Sequence, residues 1–109
     1  MEYYQGFISA TSKEEAKQIV DELLDKRFIA GGQILAGESN HHWQGDIERL
    51  PYWTIMIFTK PDCVDAIIET VERLSKDDTP GVTFVKIERG NKGFLDWIDE
   101  NTNQGVPKD

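Results

Sequence analysis

The stretch HHWQGDIERLPYWTIMIFT, His41 to Thr59, decides the fold. No three-to-four spacing of apolar residues survives in it, or anywhere between Ala30 and Thr59, so a helix would have no face to bury. Polar residues and a glycine interrupt the run at Gln44 and Gly45. The residues from Tyr52 to Thr59 are almost continuously apolar and rich in β-branched and aromatic side chains. This pattern predicts two strands joined by a tight turn. Side chains alternate across a strand, so Trp53, Ile55 and Ile57 face one way and Tyr52, Met56 and Phe58 the other. Both faces of the second strand are therefore apolar, unlike a sheet with one face in water.

The flanking segments complete the pattern. Upstream, EYYQGFIS (2–9) reads as a strand. SKEEAKQIVDELLDKR follows, in which Ser12 and Glu15 form a capping box and Ala16, Ile19, Val20, Leu23 and Leu24 share one helical face. Downstream, Thr59, Pro61 and Asp62 open a second helix with Val64, Ile67, Ile68, Val71 and Leu74 as its buried stripe. DDTPG (77–81) ends it, VTFVKIE (82–88) is a further strand, and NKGFLDWIDENT (91–102) is a short terminal helix that docks through Phe94, Leu95, Trp97 and Ile98. The order strand, helix, strand, strand, helix, strand is the split βαβ, ferredoxin-like α+β arrangement. Helices are expected near residues 12–27 and 61–75, on one face of a four-stranded, mainly antiparallel sheet. The chain reads as a single domain over residues 1–102 with a loose tail at 103–109. Two helices cover only one sheet face, so the apolar second face calls for a partner, and self-association is the economical one.

Charge narrows the function classes. Twenty Asp and Glu stand against 12 Lys and Arg, a formal charge of −8, with no run of basic residues. Nucleic acid and anionic membranes are poor partners for such a surface. Solubility explains the excess, and attraction of cations is the functional reading. Cys63 is the only cysteine, so there is no intrachain disulfide and no multi-cysteine zinc site. It reads as a small buried apolar residue, the alternative being a thiol activated by the first turn of its helix. MEYYQGFISA lacks the basic start and apolar core of a signal peptide, and no segment is apolar enough to span a bilayer, so a cytoplasmic protein is expected.

Both histidines lie in GESNHHWQGDIE (37–48). On a strand His41 and His42 point to opposite faces and cannot close on one ion, which leaves each a weak metal candidate. Either one can still join Glu38, Asp46, Glu48 or a neighbouring subunit. Asp77 and Asp78 offer oxygens to a hard cation or simply form a solvated turn. ERGNKG lacks the spacing of a phosphate loop. No nucleophile stands beside an obvious base, so no enzyme is expected.

EEAKQIVDELLDKRFIAGGQI (14–34), HHWQGDIE (41–48) and TPGVTFVKIERGNKGFLDWI (79–98) together resemble the CutA-type divalent-cation tolerance proteins. The resemblance runs from about Phe7 to Ile98, and Trp43, Gly45, Ile47, Pro80 and the closing GN..FL.WI are its most specific pieces. It implies a homotrimer of ferredoxin-like subunits packed through their sheets, related in fold to the PII signalling proteins, and a role in the response to metal ions. Trp43, Trp53, Asp77, Asp78 and Asn91 are candidates for an interface or ligand cleft. The departures bear on function. Gly31 stands where family members often carry a cysteine, Ser75 where they carry a histidine, Asp77 for a tyrosine and Gly81 for a glutamate. The cysteine and histidine are the residues proposed to bind copper in that family, so a soft-metal site does not carry over. The first reading is a non-enzymatic homotrimeric CutA-like protein with no certain cofactor, holding divalent cations weakly through carboxylates. The second is a PII-like regulatory protein with a small effector, such as a nucleotide, in its intersubunit clefts.

Overall fold

The computed structural model describes residues 1–103. In chain order the elements are β1 (Tyr4–Ala10), α1 (Lys13–Asp25), β2 (Gly31–Trp43), β3 (Asp46–Thr59), a 3-10 turn (Pro61–Cys63) running into α2 (Val64–Leu74), β4 (Val82–Lys86) and α3 (Lys92–Asn101). The strands form one sheet in the order β2-β3-β1-β4, and every neighbouring pair is antiparallel. This is the ferredoxin-like α+β fold that the sequence predicts.

Local chemistry explains the elements. Ser12, in an extended conformation, caps α1 by accepting the Glu15 N–H at 3.1 Å. Ala16, Ile19, Val20 and Leu23 of α1 and Ile67 and Val71 of α2 are buried against Ile8, Ala10, Ile55 and Ile57 of the sheet, with Cys63 inside the same core. Leu24, expected on that stripe, is exposed, because it lies a further 100° round the helix from Leu23.

The second sheet face is partly covered by α3, a role the sequence does not reveal. Phe94 meets Phe58 edge-on at 5.0 Å between centroids, and Trp97 lies against Gly31. A Cβ at position 31 would stand 2.7 Å from the tip of the Trp97 ring, so any larger residue here requires that ring to shift from where it lies. Ile98 is fully buried, and the buried Lys60 holds Asp99 at 3.0 Å. Asn103 donates its backbone N–H to the Arg27 carbonyl and its side-chain amide to the Lys26 carbonyl. The packed body therefore reaches Asn103, one residue into the expected tail, whose remainder lies outside the described residues. Elsewhere on this face Phe7, Leu35, Leu50 and Val85 remain 38–53% exposed.

The β2–β3 hairpin extends well beyond the helices. Its two-residue turn places Gln44 at φ 51° and Gly45 at φ 88°, the positive pair of a type I′ turn, whose twist suits the flanking strands. Pairing runs without a bulge from Gly31 opposite Phe58 to Trp43 opposite Asp46. β1 ends at Ala10 opposite Trp53, so the pairs from Gly37–Tyr52 to Trp43–Asp46 project as a two-stranded arm. An isolated two-stranded ribbon is marginal in water and needs support.

Candidate functional site

Part of that support comes from the loop between α2 and β4. Tyr52, at the root of the arm, donates its hydroxyl to Asp77 Oδ2. The loop is itself pinned. Asp77 donates its N–H to Ser75 Oγ at 3.0 Å, and Thr79 donates its N–H to Asp77 Oδ1 at 3.2 Å. The carboxylate of Glu15, 2% exposed, accepts the backbone N–H of Thr11 at 2.8 Å and that of Lys76 at 2.7 Å. The capping-box residue thus ties the start of α1 to the end of α2.

Arm and loop enclose a cleft of about 410 Å³, with His41, Trp43, Glu48, Tyr52, Lys76 and Asp77 among its lining residues. Of the residues singled out from the sequence, His41, Trp43, Asp77 and Asp78 meet here. His42 lies on the opposite face of the hairpin, Trp53 packs against the hydrophobic core, and Asn91 stands at the N-cap position of α3, outside the cleft and without a side-chain capping bond. Ser39, Glu15 and Tyr52 were not foreseen as parts of this arrangement. The expectation that no nucleophile stands beside a base is corrected by the hairpin: Ser39 Oγ is 2.7 Å from His41 Nδ1. His41 Nε2 is in turn 3.1 Å from Glu48 Oε1. Alternation puts Ser39 and His41 on one face, and the turn puts Glu48 directly across from His41.

Burial first, and the bond to Asp77 second, push the Tyr52 hydroxyl from the ordinary 10.0 up to about 12. Because the folded state holds the proton more tightly, the corresponding stability is fully present below the unfolded pKa of about 10 and is lost as pH rises through about 12. Ultraviolet titration of tyrosinate should therefore show one of the three tyrosines ionising late. Asp77→Asn should advance that step, and a step left unmoved would disprove the assignment.

The antiparallel sheet, paired helices and long hairpin arm define a ferredoxin-like α+β protein. The CutA1 divalent ion tolerance protein family matches residues 5–101. The divalent-cation tolerance protein CutA of Archaeoglobus fulgidus is 35% identical over 94 residues, covering 86% of this chain and 92% of that protein. Its counterpart in Thermus thermophilus is 29% identical over 96 residues, covering 87% and 93%. Among solved structures, the Archaeoglobus fulgidus protein, described as a periplasmic divalent cation tolerance protein CutA, superposes with a TM-score of 0.88 at 33% identity, over 91% of this chain and 97% of that one. The Thermus thermophilus structure gives 0.89 at 26% identity, over 93% and 99%. This chain belongs to the CutA1 divalent ion tolerance family.

At the two positions where the resemblance places a cysteine and a histidine, this chain carries Gly31 and Ser75. Gly31 offers no ligand atom, and Trp97 fills the space above it. Ser75 Oγ is engaged by the Asp77 N–H. The two positions also lie at opposite ends of the fold. Gly31 pairs with Phe58, whereas Ser75 adjoins the Glu15–Thr11 corner, next to the Ala10–Trp53 pair. The five residue steps of β3 from Trp53 to Phe58 span roughly 17 Å. Among the described residues, no three His, Cys, Asp or Glu side chains gather closely enough to hold a metal ion.

Proposed function

We propose that this chain acts as a non-enzymatic homotrimer in the response to divalent metal ions, meeting hard cations weakly through carboxylates rather than holding copper on thiolate and imidazole. The observation that carries the assembly is the half-covered sheet face. Phe7, Leu35, Leu50 and Val85 stay exposed there, and among the described residues no helix lies over the hairpin arm. A monomer would leave that apolar surface in water. Three chains rather than two follows from the family resemblance, and the metal role from the names of the relatives together with the charge of −8.

One preparation tests the whole reading. Light scattering at micromolar concentration should give the mass of three chains, and a monomer mass ends the assembly proposal. Calorimetric titration should show weak uptake of magnesium or manganese and no submicromolar copper site. Copper(II) uptake, if present, should vanish in the double variant His41→Ala, His42→Ala. Submicromolar copper affinity that survives those substitutions and fails only on changes around Gly31 and Ser75 would overturn the metal reading. The cleft favours the second reading, a PII-like effector site. Its volume is in the range of small-molecule pockets, and Trp43 and Tyr52 offer stacking surfaces beside Lys76. A nucleotide that raises the melting temperature would select that reading.

A further inference from the structure

The cleft between arm and loop carries its charges on separate walls. Glu48 stands on the arm, Asp77 and Asp78 stand on the loop between α2 and β4, and Lys76 is the one basic residue of the lining. Three carboxylates against one ammonium leave the cleft acidic when His41 is neutral. Yet Glu48, Asp77, Asp78 and His41 do not gather closely enough to hold a metal ion. A single hard cation, which needs its oxygens at about 2.0–2.6 Å, cannot satisfy both walls at once. Each Asp77 oxygen already accepts one bond, from Tyr52 or from Thr79, and a carboxylate oxygen has room for a second. The aromatic rings of Trp43 and Tyr52 complete the lining with surfaces that attract cations and cover methylene groups. The Tyr52 hydroxyl registers the negative field: its rise to about 12 owes most to burial, then to the bond and the charge of Asp77, with a smaller addition from the charge of Glu15.

We propose that the cleft binds a linear polyamine, two or more ammonium groups joined by methylene chains, with one end at Glu48 and the other at Asp77 and Asp78. The proposal rests on the reading of the cleft as an effector site and names the class of effector. Charge spread along a chain answers carboxylates on separate walls, and the methylene stem covers Trp43 and Tyr52. The volume of about 410 Å³ is in the range that holds such a molecule. A nucleotide would instead bring its phosphates against three carboxylates, with one lysine to offset them. Lys76, Asp78 and Thr79 are exposed and belong to the loop, not to the sheet face that carries Phe7, Leu35 and Val85. That side of the mouth lies outside the surface proposed for self-association.

The test is calorimetric titration of the full chain, in the assembly it forms in solution, with spermidine, putrescine, magnesium and ATP at about 0.15 M ionic strength. Spermidine should bind once per chain and more tightly than putrescine, and magnesium at equal concentration should not displace it. Glu48→Gln retains an acceptor for His41, and Asp78→Asn leaves the bonds of Asp77 in place. Each should weaken spermidine about threefold, the scale of one exposed ion pair. Trp43→Leu should weaken it about fivefold through the lost cation–π contact. Lys76→Gln should bind spermidine at least as tightly as the wild type, whereas a nucleotide site would lose affinity. Asp21→Asn and Asp25→Asn, on the exposed face of α1, serve as controls and should change nothing. Circular dichroism and light scattering should show every variant folded and assembled as the wild type is. ATP binding without spermidine binding would overturn the polyamine proposal and leave the effector site standing, and binding of neither would overturn both. Several spermidines per chain, or equal losses in the α1 controls, would mean condensation on an acidic surface and would overturn the proposal as well.

Discussion

Glu15→Ala should lower stability by about 3 kcal/mol, because two charge-assisted hydrogen bonds, each contributing about 1.5–3 kcal/mol, disappear together. The carboxylate is 2% exposed and accepts from the backbone of Thr11 and of Lys76. Thr11 and Lys76 lie nearer the surface than Glu15, so water can reach the two freed amides and the loss falls at the lower end of that sum. For a domain of this size the change corresponds to a fall of about 12 °C in Tm. Glu15→Gln retains a carbonyl acceptor but neither the charge nor the second strong acceptor, and should lose about half as much. Urea unfolding at one fixed protein concentration measures this as a shift of the midpoint at constant slope. The effect should also reach the cleft. Once Lys76 is released, Asp77 is held less firmly against Tyr52, and the Tyr52 ionisation should move back towards 10.0. A loss below 1 kcal/mol would show that the Glu15 bridge is not what fixes the loop.

Gly31→Cys, which introduces the residue family members often carry, should destabilise the protein by about 1–3 kcal/mol, the cost of overpacking a filled site. The new Cβ would stand 2.7 Å from the Trp97 ring, which would have to shift and loosen its edge-on contact with Phe58 and its tilted contact with Phe94. Trp97→Ala should be destabilising by itself, through the lost aromatic contacts. The double variant Gly31→Cys, Trp97→Ala should be more stable than the sum of the two single losses by at least about 1 kcal/mol, since the clash is then absent. Strict additivity would mean that Trp97 is not the obstacle. None of these variants should gain tight copper binding, because Ser75 still supplies no imidazole to join the new thiol.

Much of the candidate site could be read from the sequence once the turn was located. With Gln44 and Gly45 as a two-residue loop, counting outward pairs Trp43 with Asp46, His42 with Ile47 and His41 with Glu48. Alternation separates His41 from His42, and the same alternation brings Ser39 to His41. Following the pattern along one strand without crossing to its partner hides the row. Tyr52 was legible as an apolar-face residue of β3, but its bond to Asp77 spans 25 positions and carries no periodic signal.

The sequence by itself determined what short-range physics governs: the periods of two and 3.6, the Ser12 cap, the turn at Gln44–Gly45, and hence the order of elements and the ferredoxin-like class. Each of these rests on residues within a few positions of one another, where backbone geometry and side-chain alternation leave few choices. Only the tertiary structure decided where α3 docks, what lies over position 31, and how the cleft is closed. Trp97 over Gly31, Lys60 with Asp99, and Glu15 with Lys76, the last 61 residues apart, are contacts between distant segments. Their partners are selected by which surfaces remain uncovered after the core has packed. That is a property of the assembled layers, and no local pattern in the chain encodes it.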